Sequence, residues 1–258
     1  MAVDFSEVTE LAGAEISAEQ LERMVHRYCW AARYCGGRDV VEVACGSGQG
    51  LGMLSKVAKT LEAGDYSREV LAVPEAHYGR RIRLQEFDAQ QLPYADSSKD
   101  VVILFEALYY VPSAERFVAE CRRVLRPGGQ VLIASANKDL SDFNPSPFSY
   151  RYYGAVELGD LFGEAGFATE LFGYMPVGKV SARQKVLRAV KKLAVSLGIM
   201  PKTMKGKQLL KRLVFGRLVL MPAELPAATG DVEEPTKLAD GVADRTHKVL
   251  YCRATLPV

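Results

Sequence analysis

The sequence predicts an α/β protein, a mostly parallel sheet with helices packed on both faces. Three observations lead there. Short apolar runs alternate with amphipathic helical stretches, the order that parallel strands joined by crossover helices require. One run, Asp100-Val101-Val102-Ile103-Leu104-Phe105, is apolar almost throughout, as a strand covered on both faces is. A glycine-rich turn, Cys45-Gly46-Ser47-Gly48-Gln49-Gly50, follows a short apolar strand and precedes a helix. At 258 residues the chain has room for one large domain of this kind.

The elements follow in order. Ala18–Cys35 reads as a helix, with Leu21, Met24, Val25 and Tyr28 at helical spacing and Gly36-Gly37 ending it. Val40–Val43 is the first strand. After the glycine turn, Leu51, Leu54, Val57, Ala58 and Leu61 mark one face of a second helix. A short second strand around Leu61–Ala63 ends at Gly64-Asp65, and Arg81–Phe87 is the third, ending at Asp88. Asp100–Phe105 is the fourth. Ser113–Leu125 is a helix closed by Arg126-Pro127-Gly128-Gly129, and Gln130–Ser135 is the fifth strand. Beyond a tyrosine- and proline-rich loop, Phe143–Tyr153, come a helix over Val156–Glu164 and a sixth strand over Phe167–Gly173. Lys248–Ala254 supplies the seventh. The expected organisation is a core over residues 1–174, a basic helical insertion and flexible loop over 175–245, and a final core strand within 246–258.

Composition narrows the function classes. The longest uncharged stretch, Val43–Ser55, is far short of the roughly 18–20 residues that span a bilayer. Met1–Glu15 carries acids instead of a basic, apolar signal segment. Five cysteines without a CxxC pair indicate neither a disulfide framework nor a zinc site, and no metal is expected. A reducing, cytoplasmic location is the expectation. The net charge of +2 is unevenly spread: residues 179–217 hold twelve Lys or Arg and no acid, leaving −10 on the rest.

A glycine turn between strand and helix lets backbone N–H groups approach a ligand, because a Cβ would obstruct it. By itself it is more often a tight connection, and the third glycine of G-x-G-x-x-G is Leu51 here. The surroundings say more. Val40-Val41-Glu42-Val43-Ala44-Cys45-Gly46-Ser47-Gly48 resembles the first motif of the class I S-adenosylmethionine-dependent methyltransferases. Asp65, nineteen residues after Gly46, matches the acid that meets the ribose hydroxyls in that family. Asp88, followed by Ala89-Gln90-Gln91-Leu92-Pro93-Tyr94, matches the acid that faces the adenine amino group. Asp100 opens the fourth strand, and Arg123-Val124-Leu125-Arg126-Pro127-Gly128-Gly129 matches the family's R-x-L-x-P-G-G turn. The resemblance covers about residues 19–174 and implies a Rossmann-like, seven-stranded sheet with S-adenosyl-L-methionine as cofactor.

Residue by residue, the resemblance places Glu42 under the methionine portion, Ala44, Gly46 and Gly48 in the turn, and Tyr66, Ala89 and Phe105 beside the two acids and the fourth strand. Tyr28, in Arg27-Tyr28-Cys29-Trp30-Ala31, resembles a tyrosine that closes over the methionine end; a core tyrosine is the other reading. Glu42 also reads as a surface strand end, and Asp65 and Asp88 as turn or cap residues, which Asp favours. Ala44 replaces the family's first glycine, which ordinary local dihedrals would tolerate.

Methyl transfer asks the protein to align the acceptor and exclude water, with a base needed for an alcohol. Glu106, in the loop after the fourth strand, is the candidate base, with Tyr109 and Tyr110 beside it. His26 is the histidine best placed to reach the site, although a lone helical histidine is more often structural. Phe148 and Tyr150 are expected in the acceptor wall. The amine-methylating signature of nucleic-acid enzymes is absent after the fourth strand, so no nucleic-acid partner is expected. An O-methylated small molecule or glycan, including a nucleotide- or lipid-linked sugar, is the favoured acceptor. A quinone or lipid methyltransferase at a membrane and a non-catalytic binding module are the rivals.

In the insertion, Val186, Leu187, Val190, Leu193, Ala194 and Leu197 form an apolar face opposite Arg183, Lys185, Arg188, Lys191 and Lys192, and Gln208–Val219 repeats the pattern. Such helices suit the inner face of an anionic membrane, an anionic acceptor, a lid, a second subunit or plain packing.

Overall fold

The structure is a computed structural model of the chain. It describes residue 9 and residues 11–146, 148–177, 218–226 and 233–258. A short strand, β1 (Glu15–Ser17), runs into helix α1 (Ala18–Cys35). Ser17 caps that helix reciprocally: its Oγ accepts from Gln20 N at 3.2 Å, and its own N–H donates to Gln20 Oε1 at 2.9 Å. Then follow β2 (Asp39–Val43), α2 (Leu51–Ser55), β3 (Thr60–Asp65), α3 (Arg68–Tyr78), β4 (Arg83–Glu86) and β5 (Lys99–Phe105). Helix α4 (Ala114–Val124) feeds β6 (Leu125–Ala136), and α5 (Ala155–Glu164) feeds β7 (Ala168–Pro176). The described remainder holds β8 (Leu218–Leu220), β9 (Thr236–Lys237) and β10 (His247–Thr255).

The main sheet has eight strands in the order β4-β3-β2-β5-β6-β10-β7-β9. From β4 to β6 the pairings are parallel; β10 enters antiparallel between β6 and β7. Alternate residues of each strand feed opposite layers. Val40, Val101, Ile103 and Leu132 pack under α1, while Val41, Val102, Leu104 and Ile133 pack under α4 and α5. Trp30 of α1 is fully buried and stacks on Tyr251 of β10 at 4.8 Å between ring centroids. Burying roughly 200 Å² of indole is worth about 5 kcal/mol, so this pair anchors α1 to the sheet centre.

The alternating, mostly parallel architecture is as the sequence reads, with four differences. Helix α2 stops at Ser55 instead of running to Leu61, because the next residues tie back to the turn between α1 and β2. Gly37 N donates to Val57 O at 2.9 Å, and Lys59 N to Arg38 O at 2.9 Å. Leu61 therefore sits in β3, opposite Val40. Helix α3 has no counterpart in the sequence reading. The eighth strand, β9, lies in the stretch expected to be a loop, and Leu218 and Val219 of the expected second basic helix form β8 against β1. The rest of the basic helical pair, including all twelve positive charges of residues 179–217, lies outside the described residues. Among the described residues no helix is long and apolar enough to cross a membrane.

Candidate functional site

The C-terminal ends of β2, β3, β4, β5 and β6 open into one cavity of about 630 Å³, with α1 as its side wall. That volume is ordinary for a small-molecule or cofactor site, and the place is where open α/β sheets bind ligands. The strand ends deliver acids to it. Glu42, one residue before the end of β2, is buried. It accepts the Tyr28 hydroxyl at 2.5 Å through Oε1, and its Oε2 has no hydrogen-bond partner among the described residues. Burial pushes this carboxyl up to about 7, against the Tyr28 hydrogen bond and the Arg27 charge, which favour ionisation. An orphaned carboxylate oxygen in a desolvated wall is costly unless a ligand supplies a donor.

Asp65 ends β3. Its Oδ2 accepts from Gly46 N at 2.9 Å and its Oδ1 from Ser67 N at 3.0 Å, which ties the glycine turn to the start of α3. Burial raises its pKa, and the backbone N–H groups of Ser67, Gly46 and Tyr66 oppose that rise. Asp88, just past β4, accepts the Gln90 N–H at 2.8 Å. In the turn, Gly46 has φ +58°, and a Cβ there would touch only Thr9, so the backbone is open to a ligand. Ala44 has φ +54°. Its dihedrals are thus not ordinary: the position wants glycine, and its methyl group costs about 1–2 kcal/mol.

Beyond β5 the backbone turns sharply at Glu106, φ +51°, held by Glu106 N donating to Ala134 O at 2.8 Å. The Glu106 carboxylate accepts the Tyr109 hydroxyl at 3.2 Å and lies 4.0 Å from Arg27 Nη1. Tyr109 stacks on Tyr152 at 4.1 Å, and Tyr150 N donates to Tyr109 O at 2.7 Å. The second tyrosine-rich loop is thereby fixed against the first. A carboxylate at the wall of a partly dry cavity, steadied by a hydroxyl and near a guanidinium, can take a proton from a bound hydroxyl group.

Residues 41–133 match the family model described as "Methyltransferase domain". Over that stretch the chain is similar to the class I S-adenosylmethionine-dependent methyltransferases. One relative of this chain is a probable S-adenosylmethionine-dependent methyltransferase of Mycolicibacterium smegmatis, 36% identical over 155 residues, covering 58% of this chain and 56% of the relative. Another is the O-methyltransferase cnsE of Penicillium expansum, 29% identical over 171 residues, covering 60% and 59%. The chain thus spans little more than half the length of these curated relatives. The solved YcgJ protein of Bacillus subtilis shares the fold, with a TM-score of 0.58 at 14% identity, covering 90% of this chain and 99% of that one.

The cavity wall includes Tyr28, Glu42, Ala44, Gly46, Asp65, Tyr66, Asp88, Ala89 and Phe105 from the expected cofactor set. It also includes Glu106, Tyr109, Tyr110 and Tyr150. Three expected residues fall elsewhere. Gly48 faces α3, where a Cβ would come within 2.7 Å of Pro74 Cβ; its glycine serves packing. Phe148 is exposed and outside the cavity. His26 does not line the cavity either, because its position on α1 turns it toward β7 and β10. Its ring stacks on Tyr174 at 3.4 Å, Nε2 donates to Glu233 O at 2.7 Å, and Nδ1 accepts the Tyr251 hydroxyl at 2.8 Å. Burial lowers its pKa, in keeping with a neutral ring. The sequence reading missed Gln20 and Arg23 in the wall and quoted Arg27 only within a pattern. Their spacing of three and four residues, one face of a helix, was the available signal.

Proposed function

We propose that this chain transfers the methyl group of S-adenosylmethionine to a small-molecule or glycan acceptor, with an oxygen as the favoured methylated atom. The observation that carries the reading is the buried Glu42 oxygen without a partner among the described residues, in line with Asp65 and Asp88 across three adjacent strand ends. These residues fit the cofactor. Asp65 and the open Gly46 backbone suit vicinal hydroxyls, Asp88 suits an exocyclic amine, and Glu42 suits the ammonium group of the methionine portion. When bound, S-adenosylmethionine supplies an activated methyl group. Tyr28 orients Glu42, the tyrosine loops shield the site from water, and Glu106 takes the proton from the acceptor hydroxyl. The printed activity of the Penicillium relative, an O-methyltransferase, supports an oxygen acceptor. Five free cysteines, all buried, suit a reducing cytoplasm. The charge of residues 179–217 favours a second reading, in which the acceptor is a quinone or lipid met at an anionic membrane surface.

Calorimetry with S-adenosylmethionine, and release of S-adenosylhomocysteine over a panel of sugar and phenol acceptors, test the reading. Glu106→Gln keeps the size and loses the basicity, so turnover should fall about 10²–10⁴-fold with cofactor affinity within twofold. A collapse of affinity instead would make Glu106 a cofactor ligand, and wild-type protein that binds no cofactor would end the proposal.

Glu42 adds a pH dependence. With its carboxyl pushed up to about 7, it is mostly neutral at pH 6 and mostly ionised at pH 8, so affinity for the cationic cofactor should climb between them. Tyr28→Phe removes a hydrogen bond to the ionised form and should move that climb to higher pH. A flat calorimetric profile from pH 6 to 8 contradicts the Glu42 role.

A further inference from the structure

The α1 wall carries positive charge that the cofactor chemistry above does not use. Gln20, Arg23 and Arg27 lie along one face of the helix and line the cavity. Arg27 is committed to acids, reaching 4.0 Å from Glu106 and favouring the ionised form of Glu42. Arg23 is different. Among the described residues it makes no ion pair, and its Nε, like that of Arg27, is buried without a hydrogen-bond acceptor. The acids near it in sequence are engaged elsewhere: Glu22 accepts the Tyr174 hydroxyl at 3.3 Å, and Glu19 accepts Lys248 Nζ at 2.6 Å. A guanidinium that has lost water at Nε and found no acceptor stands to gain from an anion.

Its place in the fold says which anion. The acids assigned to the cofactor stand on β2, β3 and β4, on one side of β5. Arg23 belongs to the other side. Its end of α1 runs along β7 and β10, where Glu22 accepts from Tyr174 of β7 and Glu19 from Lys248 of β10. Glu106 and the tyrosine loops, the acceptor side of the cavity, lie between these two regions.

We infer that Arg23, with Gln20 one turn before it, forms an anion subsite on the acceptor side of the cavity that takes a carboxylate or phosphate carried by the acceptor. The inference rests on the methyl-transfer reading for the word acceptor, while the anion site stands on its own geometry. The planar guanidinium fits either group through paired N–H donors.

Benzoate, phenyl phosphate and neutral benzamide serve as probes, titrated by calorimetry into the full chain with and without saturating S-adenosylhomocysteine. Both anions should bind saturably and benzamide should not. Arg23→Gln should weaken the anions at least tenfold while S-adenosylhomocysteine affinity stays within twofold, which also reports that the variant is folded. Benzamide binding as tightly as benzoate, or no saturable binding of either anion, overturns the subsite. A loss of S-adenosylhomocysteine affinity in Arg23→Gln overturns it too, because the guanidinium would then hold the cofactor's own carboxylate. If wild-type protein binds the anions but not S-adenosylhomocysteine, the methyl-transfer reading fails and the anion site survives.

Discussion

Asp65→Ala is expected to weaken S-adenosylmethionine binding at least tenfold. Two losses combine. The carboxylate stops accepting from the ribose hydroxyls, charge-assisted bonds worth about 1.5–3 kcal/mol each. It also releases Gly46 N and Ser67 N, held at 2.9 and 3.0 Å, so the turn that should receive the cofactor loses its tie to α3. Because Asp65 is partly buried and no cation lies among its hydrogen-bond partners, its removal should cost far less in thermal stability than in affinity. Titration calorimetry of the variant and the parent decides it, and equal affinities would remove Asp65 from the cofactor site.

Gly64→Ala is expected to have the largest effect on stability. Gly64 lies on β3 opposite Gln85 of β4 and Val43 of β2. A Cβ there would stand 2.3 Å from the Gln85 carbonyl oxygen and 2.2 Å from the Phe87 ring. The ring could rotate away; the carbonyl belongs to a paired strand and cannot move without opening the ladder. Overpacking of this kind costs typically 1–3 kcal/mol, and a backbone obstacle puts this case at about 3 kcal/mol or above. For a chain of this size that lowers Tm by roughly 6–12 °C. Phe87 also lines the cavity, so cofactor affinity should fall with it. A Tm within 2 °C of the parent would mean that β3 and β4 are not paired in this register.

Much of this was legible in the sequence, for reasons that differ by element. Helix α1 announces both its ends: Ser17 and Gln20 form a capping box, Gly36 stops it, and the apolar spacing between is regular. Strand β5 is marked by an unbroken apolar run, because burial on both faces removes the alternation. Helix α3 escaped because Pro74 sits inside it, and Pro in a helical pattern normally ends the helix. Its start was nonetheless written in Ser67, whose Oγ caps Val70 N at 3.3 Å. Sequence spacing located Asp65 and Asp88 at the strand ends, where both line the cavity. His26 lies away from the cavity, in the structural role a lone helical histidine more often has, because spacing along a helix fixes a face only relative to its neighbours and the sheet decides which layer Tyr251 and Tyr174 occupy. The strain at Ala44 had no sequence signal beyond the missing glycine.

The antiparallel strand β10 carries a consequence for how the sheet comes into being. Tyr251 faces Ala134 on one side and Phe172 on the other, so β10 joins segments separated from it by large stretches of sequence. Contacts of such span are slow to form, since loop closure must be met before the pairing repays it. Synthesis proceeds from the N-terminus, and β2 to β6 can associate while β10 has yet to be made. In that interval β6 exposes an apolar, unpaired edge, with Val131, Leu132, Ile133 and Ala134 all destined for full burial. An open edge of that kind pairs with any strand that reaches it, including one from another nascent chain. Yield of folded protein should therefore depend on how quickly residues 247–255 arrive, and should rise when chaperones are co-expressed.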